Sequence, residues 1–203
     1  MDIIQKIHWL GHSGFKIKAA KTIYIDPFRI KDDEPADLIL ITHDHFDHFS
    51  PEDIEKIKTK KTIIITPPNC EQKLKGEIKI MAPYRALVID GIKIETVAAY
   101  NINKEFHPKQ KNWVGYILNI EGKRAYHAGD TDNIPEMKNL KDIDVAMLPV
   151  SGTYVMNPDE AAEAAKSVNP KIAIPMHYGT IIGTRADAER FKSLCKCSVK
   201  IFD

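Results

Sequence analysis

Hydrophobic positions along the chain predict a protein built mainly from short strands. Three closely spaced segments, at residues 6–10, 15–18 and 22–25, are rich in β-branched and aromatic side chains and predict an antiparallel meander. Continuous apolar runs, typical of strands that are covered on both faces, follow later at 38–42, 62–66, 145–149 and 172–175. The opening of the chain is therefore expected to form a sheet.

Two dipeptides in the middle of the chain predict tight β-hairpins. Asp90-Gly91 separates the strand-like segments 87–89 and 92–97, and Glu121-Gly122 separates 114–120 from 123–128. Two-residue hairpin turns require positive φ at both central positions, which glycine and aspartate tolerate.

Helices are indicated by their capping residues. Ser50-Pro51 and Asn157-Pro158 each place a capping side chain before a proline and early acidic residues. Further helical segments are expected at 68–75, ending at Gly76, and at 186–194. The tight hairpins favour two sheets sandwiched between helices over a doubly wound parallel sheet.

Composition narrows the class of protein. The 203 residues fit one large domain or two very small ones, and no linker or repeat divides them, so a single domain over 1–203 is expected. The net charge of +1 gives no argument for nucleic acid or an anionic membrane as a partner. The beginning of the chain has no apolar signal segment, and the apolar runs are far shorter than the ~20 residues of a membrane helix, so a cytoplasmic location is expected.

The three cysteines form no disulfide framework. Cys195-Lys196-Cys197 lacks the two-residue spacer of common zinc and redox motifs, and Cys70 stands alone. All three are expected to be reduced thiols with a structural or incidental role.

Residues 42–48 contain the main chemical signal. Three imidazoles and two carboxylates occupy six residues that directly follow a buried strand, in the order His43, Asp44, His45, Asp47, His48. Side chains at alternate positions of an extended strand end project to the same side, so His43 and His45 should lie together. Imidazole and carboxylate are ligands of Zn²⁺ and Mn²⁺, and the segment predicts metal binding.

This segment matches the H-x-H-x-D-H motif of the metallo-β-lactamase superfamily, which the chain resembles over nearly its whole length. The segments 8–13, 25–28, 126–131 and 175–179 further resemble small β-lactamase-like hydrolases that include L-ascorbate-6-phosphate lactonase. The resemblance implies an α/β (α+β) protein with the four-layer αββα sandwich of that fold.

The resemblance also implies a ligand set for two divalent metal ions, with Zn²⁺ first and Mn²⁺ or Fe²⁺ as alternatives. His43 and His45 would hold the first ion, Asp130 would bridge both, and the second would be held by Asp47, His48 and His177. Asp47 and His48 are the catalytic candidates, with Asp47 or a neighbouring carboxylate handling the proton.

One position departs from the family pattern. Where a third histidine would bind the first ion, the chain has Asn101, and His107 six residues later is favoured as the substitute. An Asn or water ligand, or a site with one working metal, are the alternatives.

Weaker candidates surround these ligands. His12 and Asp26 are expected either to orient ligating imidazoles or to be simple turn residues. His8 and His127 are expected to be ordinary surface or core histidines. Substrate contact is suggested for Arg29, Thr131, Tyr154 and Tyr178, and the lysines at 104, 109 and 111 suggest either an anionic substrate or a solvated loop.

The implied activity is hydrolysis of an ester, lactone or phosphoester bond in a small cytoplasmic substrate by a hydroxide held between two metal ions. The alternative is a non-catalytic, metal-containing sensor or ligand-binding module on the same fold. The Asn101 departure keeps that alternative open.

Overall fold

The computed structural model describes residues 3–31 and 34–203. The chain divides into two compact units, Met1–Ala82 and Pro83–Asp203, each of which contains one β-sheet. A single domain over 1–203 stays a prediction.

The first unit contains a six-stranded mixed sheet in the order β1-β2-β3-β4-β5-β6. The first three strands form the expected antiparallel meander, and β3 to β6 run parallel to one another. The strands are β1 Ile7–Gly11, β2 Gly14–Lys18, β3 Thr22–Ile25, β4 Leu38–Leu40, β5 Ile63–Thr66 and β6 Glu77–Ile80. Strand β6 was not predicted, because it has only four residues and pairing with β5 defines it.

The helix α1 Pro51–Ile57 covers part of this sheet. It begins as expected, since the Ser50 hydroxyl accepts a hydrogen bond from the Asp53 N–H at 3.3 Å. Its apolar positions Ile54 and Ile57 are both 1% exposed and pack with Ile39 and Phe49 in the core. Burying each such side chain contributes roughly 1.5–3 kcal/mol.

Asp53 ties this helix to the loop after β3. Its carboxylate accepts hydrogen bonds from the Arg29 backbone N–H and from Lys56 Nζ, each at 2.7 Å. Burial raises the pKa of Asp53, but the hydrogen bonds from Lys56, Ser50 and Arg29 outweigh it and hold the pKa below its ordinary value. The charged form of this buried carboxylate is therefore the stable one.

The second unit contains a seven-stranded mixed sheet in the order β13-β12-β11-β10-β9-β8-β7. Strands β7 to β10 are antiparallel and β10 to β13 are parallel. They are β7 Ala86–Ile89, β8 Ile92–Ala98, β9 Val114–Ile120, β10 Lys123–His127, β11 Val145–Pro149, β12 Ile172–Met176 and β13 Ser198–Val199.

Both predicted hairpins of this sheet are confirmed. The turn residues Asp90 and Gly91 have φ of 49° and 82°, and Glu121 and Gly122 have φ of 52° and 75°. All four values lie in the region that a two-residue hairpin turn requires.

The predicted helices of the second unit are also confirmed, as α2 Pro158–Val168 and α3 Arg185–Leu194. Asn157 and Glu160 form a capping box at the start of α2, and its buried face consists mainly of alanines. The helix expected at 68–75 is instead a short 3₁₀ segment, Pro68–Lys73. Prolines at 67 and 68 bring no backbone N–H to its first turn, and its bonds are of the i to i+3 type.

Candidate metal centre

In the first unit, the candidate ligands gather at the carboxyl ends of two neighbouring parallel strands. Asp26 directly follows β3 and Thr42 comes two residues after β4. The Asp26 N–H bonds the Leu40 carbonyl at 2.9 Å, so the pairing of β3 and β4 continues beyond their ends. The carboxyl edge of parallel strands is the usual place for a ligand site in sheets of this kind.

A buried hydrogen-bond network centres on Asp26, which is 0% exposed. Its carboxylate accepts from the Thr42 N–H at 2.8 Å, from the Thr42 hydroxyl at 2.6 Å and from His48 Nδ1 at 2.7 Å. Because a carboxylate only accepts, His48 carries its proton on Nδ1. Asp26 is thus the residue that orients His48, as one of the two sequence interpretations expected.

The same network reaches His43. The single proton of the Thr42 hydroxyl goes to Asp26, so the hydroxyl oxygen accepts from His43 Nδ1, which lies 2.9 Å away. One carboxylate therefore places the proton of both His43 and His48 on Nδ1, so Nε2 is the nitrogen of each ring that can bind a metal. The motif itself gives no indication that Thr42 makes this connection.

The remaining histidines and Asp47 lie beside these two. The His43 ring centroid is 4.6 Å from that of His45 and 4.1 Å from that of His48. His12, which is 0% exposed, contacts Asp47 Oδ2 through its Nε2 at 2.9 Å. Asp26, His43 and His48 alone offer three ligand atoms within 4.8 Å of one another. The first unit thus contains a His/Asp cluster capable of binding metal.

In the second unit, a carboxylate lies between two histidines. Asp130 follows β10, His177 follows β12, and both strands are parallel to β11 between them. Asp130 Oδ2 is 3.2 Å from His107 Nε2 and 3.0 Å from His177 Nε2. All three side chains are 1–2% exposed. Two imidazole nitrogens around one carboxylate oxygen form a donor set that suits a borderline divalent metal.

Each of these histidines also has a polar partner at Nδ1, the ring nitrogen that does not contact Asp130. Ser151 Oγ lies 2.8 Å from His177 Nδ1, and Asn101 Oδ1 lies 3.0 Å from His107 Nδ1. The Asn101 amide donates through Nδ2 to the Asp132 carboxylate and to the Tyr154 carbonyl, each at 3.1 Å. This fixes Oδ1 toward His107, whose Nδ1 must then be the donor.

These hydrogen bonds show the role of Asn101, which stands where the family pattern has a third histidine. The asparagine lies behind His107 rather than beside Asp130, and it accepts a second hydrogen bond from the His107 backbone N–H at 3.0 Å. Lys104 Nζ, 2.7 Å from Asp132, supports the same network. The geometry therefore brings His107, and not Asn101, next to the Asp130 carboxylate.

The weaker candidates divide into buried and exposed side chains. Thr131 is 0% exposed and hydrogen-bonds the backbone of Tyr100 and Asp132, so its role is structural. Tyr178 is also buried, which raises the pKa of its phenol. Tyr154 is 38% exposed and packs edge-on against Phe106, with ring centroids 4.7 Å apart.

Three further side chains have ordinary surroundings. The Arg29 guanidinium lies over the Phe28 ring, 5.0 Å from its centroid. His8 is exposed, and the buried His127 accepts a hydrogen bond from the Gly129 N–H at 3.2 Å. Both histidines are thus of the surface or core type that the sequence indicated.

Comparison with known proteins identifies the family. Residues 6–177 match the model of the β-lactamase superfamily domain. A UPF0173 metal-dependent hydrolase of Thermococcus onnurineus is 36% identical, over 93% of this chain and 91% of the relative. One from Pyrococcus abyssi is 34% identical, over 97% of this chain and 94% of the relative. The chain belongs to the UPF0173 family of metal-dependent hydrolases in the metallo-β-lactamase superfamily.

Solved structures support the fold of this UPF0173 protein. The crystal structure of a protein from Parabacteroides distasonis has a TM-score of 0.87 and 37% identity, and covers 96% of this chain and 91% of its own. Igni18 from Ignicoccus hospitalis, at 24% identity, has a TM-score of 0.79 and covers 97% and 94%. The predicted metallo-β-lactamase fold, with two sheets in a mixed α/β chain, is confirmed. None of the helices within the described residues is long and apolar enough to cross a membrane.

Proposed function

We propose that this UPF0173 protein hydrolyses an ester, lactone or phosphoester bond of a small cytoplasmic substrate at a dinuclear metal site. The main supporting observation is the position of Asp130 Oδ2, 3.2 Å from His107 Nε2 and 3.0 Å from His177 Nε2. Such a carboxylate, held between two buried imidazoles, is suited to bridge two ions. The cytoplasmic location stays a prediction from the sequence.

The proposed ligands are those that the resemblance implies. His43, His45 and His107 would hold one ion, Asp130 would bridge, and the other ion would be held by Asp47, His48 and His177. The fit rests on the chemistry of the donor set, since neutral imidazole and carboxylate suit Zn²⁺, Mn²⁺ and Fe²⁺ alike. When bound, such ions acidify a water molecule and polarise a carbonyl or phosphoryl oxygen.

The side chains of the protein would then position these ligands and handle the proton. Asp26 and Thr42 keep the protons of His48 and His43 on Nδ1. Asp47 is proposed to accept the proton that the attacking water releases and to pass it to the leaving group. His12, 2.9 Å from Asp47 Oδ2, fixes this carboxylate.

Two features bear on the substrate. Lys104 Nζ is 2.7 Å from Asp132 and Lys109 Nζ is 3.1 Å from Glu136, so ion pairs within the protein account for these lysines. In contrast, Phe106, which directly precedes His107 in the chain, packs against Tyr154, and both rings are exposed. This favours an ester or lactone with an apolar or planar group, and a lactone of the ascorbate-phosphate type is a narrower candidate that rests on the motif resemblance.

A non-catalytic binding module is the weaker alternative. It depended on the loss of a histidine at Asn101, and the contact between His107 and Asp130 supplies a histidine in its place. Membership of a family of metal-dependent hydrolases favours catalysis as well.

The test combines metal content with turnover. Chelated protein is reloaded with Zn²⁺, Mn²⁺ or Fe²⁺, its metal content is measured by elemental analysis, and aryl esters, lactones and phosphodiesters are offered as substrates. We expect about two ions per chain and turnover that chelation abolishes. His107→Ala and Asp130→Asn should each lower both the metal content and the rate, while His8→Ala, which removes an exposed histidine, should leave both unchanged. Full metal loading of His107→Ala, or turnover that persists in chelator, would contradict the proposal.

A further inference from the structure

Two cysteines near the carboxyl-terminal end of the chain lie together outside the candidate metal centre. Cys195 is the capping residue directly after α3, where its backbone N–H bonds the Phe191 carbonyl at 3.1 Å, and Cys197 immediately precedes β13. Both side chains are partly exposed, whereas Cys70 is fully buried. Solvent therefore reaches the pair but not the third thiol.

The surroundings of the two thiols differ in a way that matters for reactivity. The Cys195 thiol donates a hydrogen bond to the Cys197 sulfur, and the backbone N–H groups of Cys197 and Ala173 lie within hydrogen-bonding reach of that sulfur. These donors lower the pKa of Cys197 to about 7 against the opposing effect of burial. The same contact raises the pKa of Cys195. The two thiols thus share a hydrogen bond, and the backbone N–H groups beside the Cys197 sulfur favour Cys197 as the thiolate of the pair.

A cavity of about 290 Å³ opens beside Cys197. Its lining includes Lys166, Lys196 and Asn169, which can bind carboxylate and amide groups, together with Glu163. Because Lys166 is ion-paired with Glu163 at 3.3 Å, Lys196 is the cation more available to a ligand. A small peptide-like thiol compound has the size and the polar groups that suit such a cavity.

We propose that Cys195 and Cys197 form a redox-active dithiol that exchanges with low-molecular-weight disulfides. The Cys197 thiolate attacks one sulfur of a disulfide RSSR, the S–S bond breaks, and RS⁻ leaves with the pair of electrons. Cys195, after losing its proton to solvent, then attacks the Cys197 sulfur of the mixed disulfide and releases a second RS⁻. The protein dithiol is oxidised to a disulfide, RSSR is reduced to two RSH, and atoms and electrons balance.

The experiment uses the intact protein and glutathione disulfide as the probe. After incubation, remaining thiols are blocked with N-ethylmaleimide, and intact mass and peptide maps identify the bonds. We expect the wild type to lose two hydrogen atoms, with a bond that joins Cys195 to Cys197. Cys195→Ser should instead accumulate a glutathione adduct on Cys197, because no resolving thiol is present. Cys70→Ser is the matched control and should behave like the wild type.

A second measurement on unmutated protein keeps the test independent of whether the variants fold. Burial raises the pKa of Cys70 to about 12. Because only the thiolate is alkylated, iodoacetamide should label Cys197 at least about 100-fold faster than Cys70 in the native protein. Equal labelling rates, wild-type adducts that never resolve to a disulfide, or undiminished reactivity of Cys197→Ser would overturn the proposal.

Discussion

Asp26→Asn is the substitution that most directly tests the hydrogen-bond network behind the metal centre. The change keeps the size of the side chain and places an amide N–H₂ where Oδ2 accepts from the Thr42 hydroxyl and from His48 Nδ1. The remaining oxygen can still accept from the Thr42 backbone N–H. The Thr42 hydroxyl and the His48 Nδ1–H then both point at the N–H₂ of the new side chain, which is also a donor, in a site that is 0% exposed.

The energetic cost follows from the bonds that are lost. Each hydrogen bond to a buried charged group contributes about 1.5–3 kcal/mol. Part of the loss of two such bonds is recovered if His48 moves its proton to Nε2 and accepts from the amide. We expect the free energy of unfolding of the metal-free protein to fall by roughly 3–5 kcal/mol. For a chain of this length that corresponds to a melting temperature about 10 °C lower.

The consequence for metal binding is separate from the consequence for stability. A proton on His48 Nε2 occupies the lone pair that would bind the ion, so Zn²⁺ affinity should fall about 10–100-fold. Affinity is measured by competition with a chromogenic chelator, and stability by circular dichroism of the metal-free protein. Thr42→Ser is the matched control, since it keeps the hydroxyl and should preserve Zn²⁺ affinity. A folded Asp26→Asn protein with wild-type Zn²⁺ affinity would refute the assignment of the proton to Nδ1.

Three further predictions follow from single contacts. Asn101→Ala removes the acceptor behind His107 and should weaken Zn²⁺ binding about 10-fold or more, with far-UV circular dichroism unchanged. Asp53→Asn should destabilise the protein by about 1–2 kcal/mol at neutral pH. Because the pKa of Asp53 is lowered from 3.8, this stabilisation is complete above about pH 4 and is lost as the pH falls through the lowered pKa, so urea titrations of wild type and variant should converge in acid. Gly115→Ala would put a Cβ 2.7 Å from the Ala128 carbonyl oxygen, and chemical denaturation should show a loss of about 3 kcal/mol.

Local sequence signals predicted the elements whose conformation is fixed locally. The hairpin turns Asp90-Gly91 and Glu121-Gly122 are two residues long, and the glycine in each adopts positive φ at no steric cost. The edge strands Glu77–Ile80 and Ser198–Val199 were missed for the opposite reason. Both are short, with four and two residues, and each becomes a strand through pairing with a neighbour that comes from elsewhere in the chain.

The sequence likewise predicted the local part of the candidate site and missed the partners that lie far away in the chain. The motif at 43–48 is contiguous, and the sequence alone indicated its metal-binding character. The partners that orient its imidazoles lie outside the motif: Asp26 precedes His48 by 22 residues, and Ser151 precedes His177 by 26. Pattern alone does not show such long-range contacts. A usable signal does exist, because Asp26, Thr42 and Ser151 each come one or two residues after a strand, at the carboxyl edge where parallel strands place their ligands.

Three residues of the hydrogen-bond networks also have backbone angles that are uncommon outside glycine. His12, Asp26 and His177 are each the first residue after a strand, and each has positive φ, at 51°, 45° and 62°. A residue other than glycine in this conformation costs of order 1 kcal/mol, although aspartate and histidine adopt it more often than most residues do. Glycine would relieve the strain, but it would remove the imidazole or carboxylate that contacts Asp47, Thr42 or Asp130. The chain retains the costly residue at all three positions, which is the expected outcome where the side chain serves the site and the backbone turn alone does not explain it.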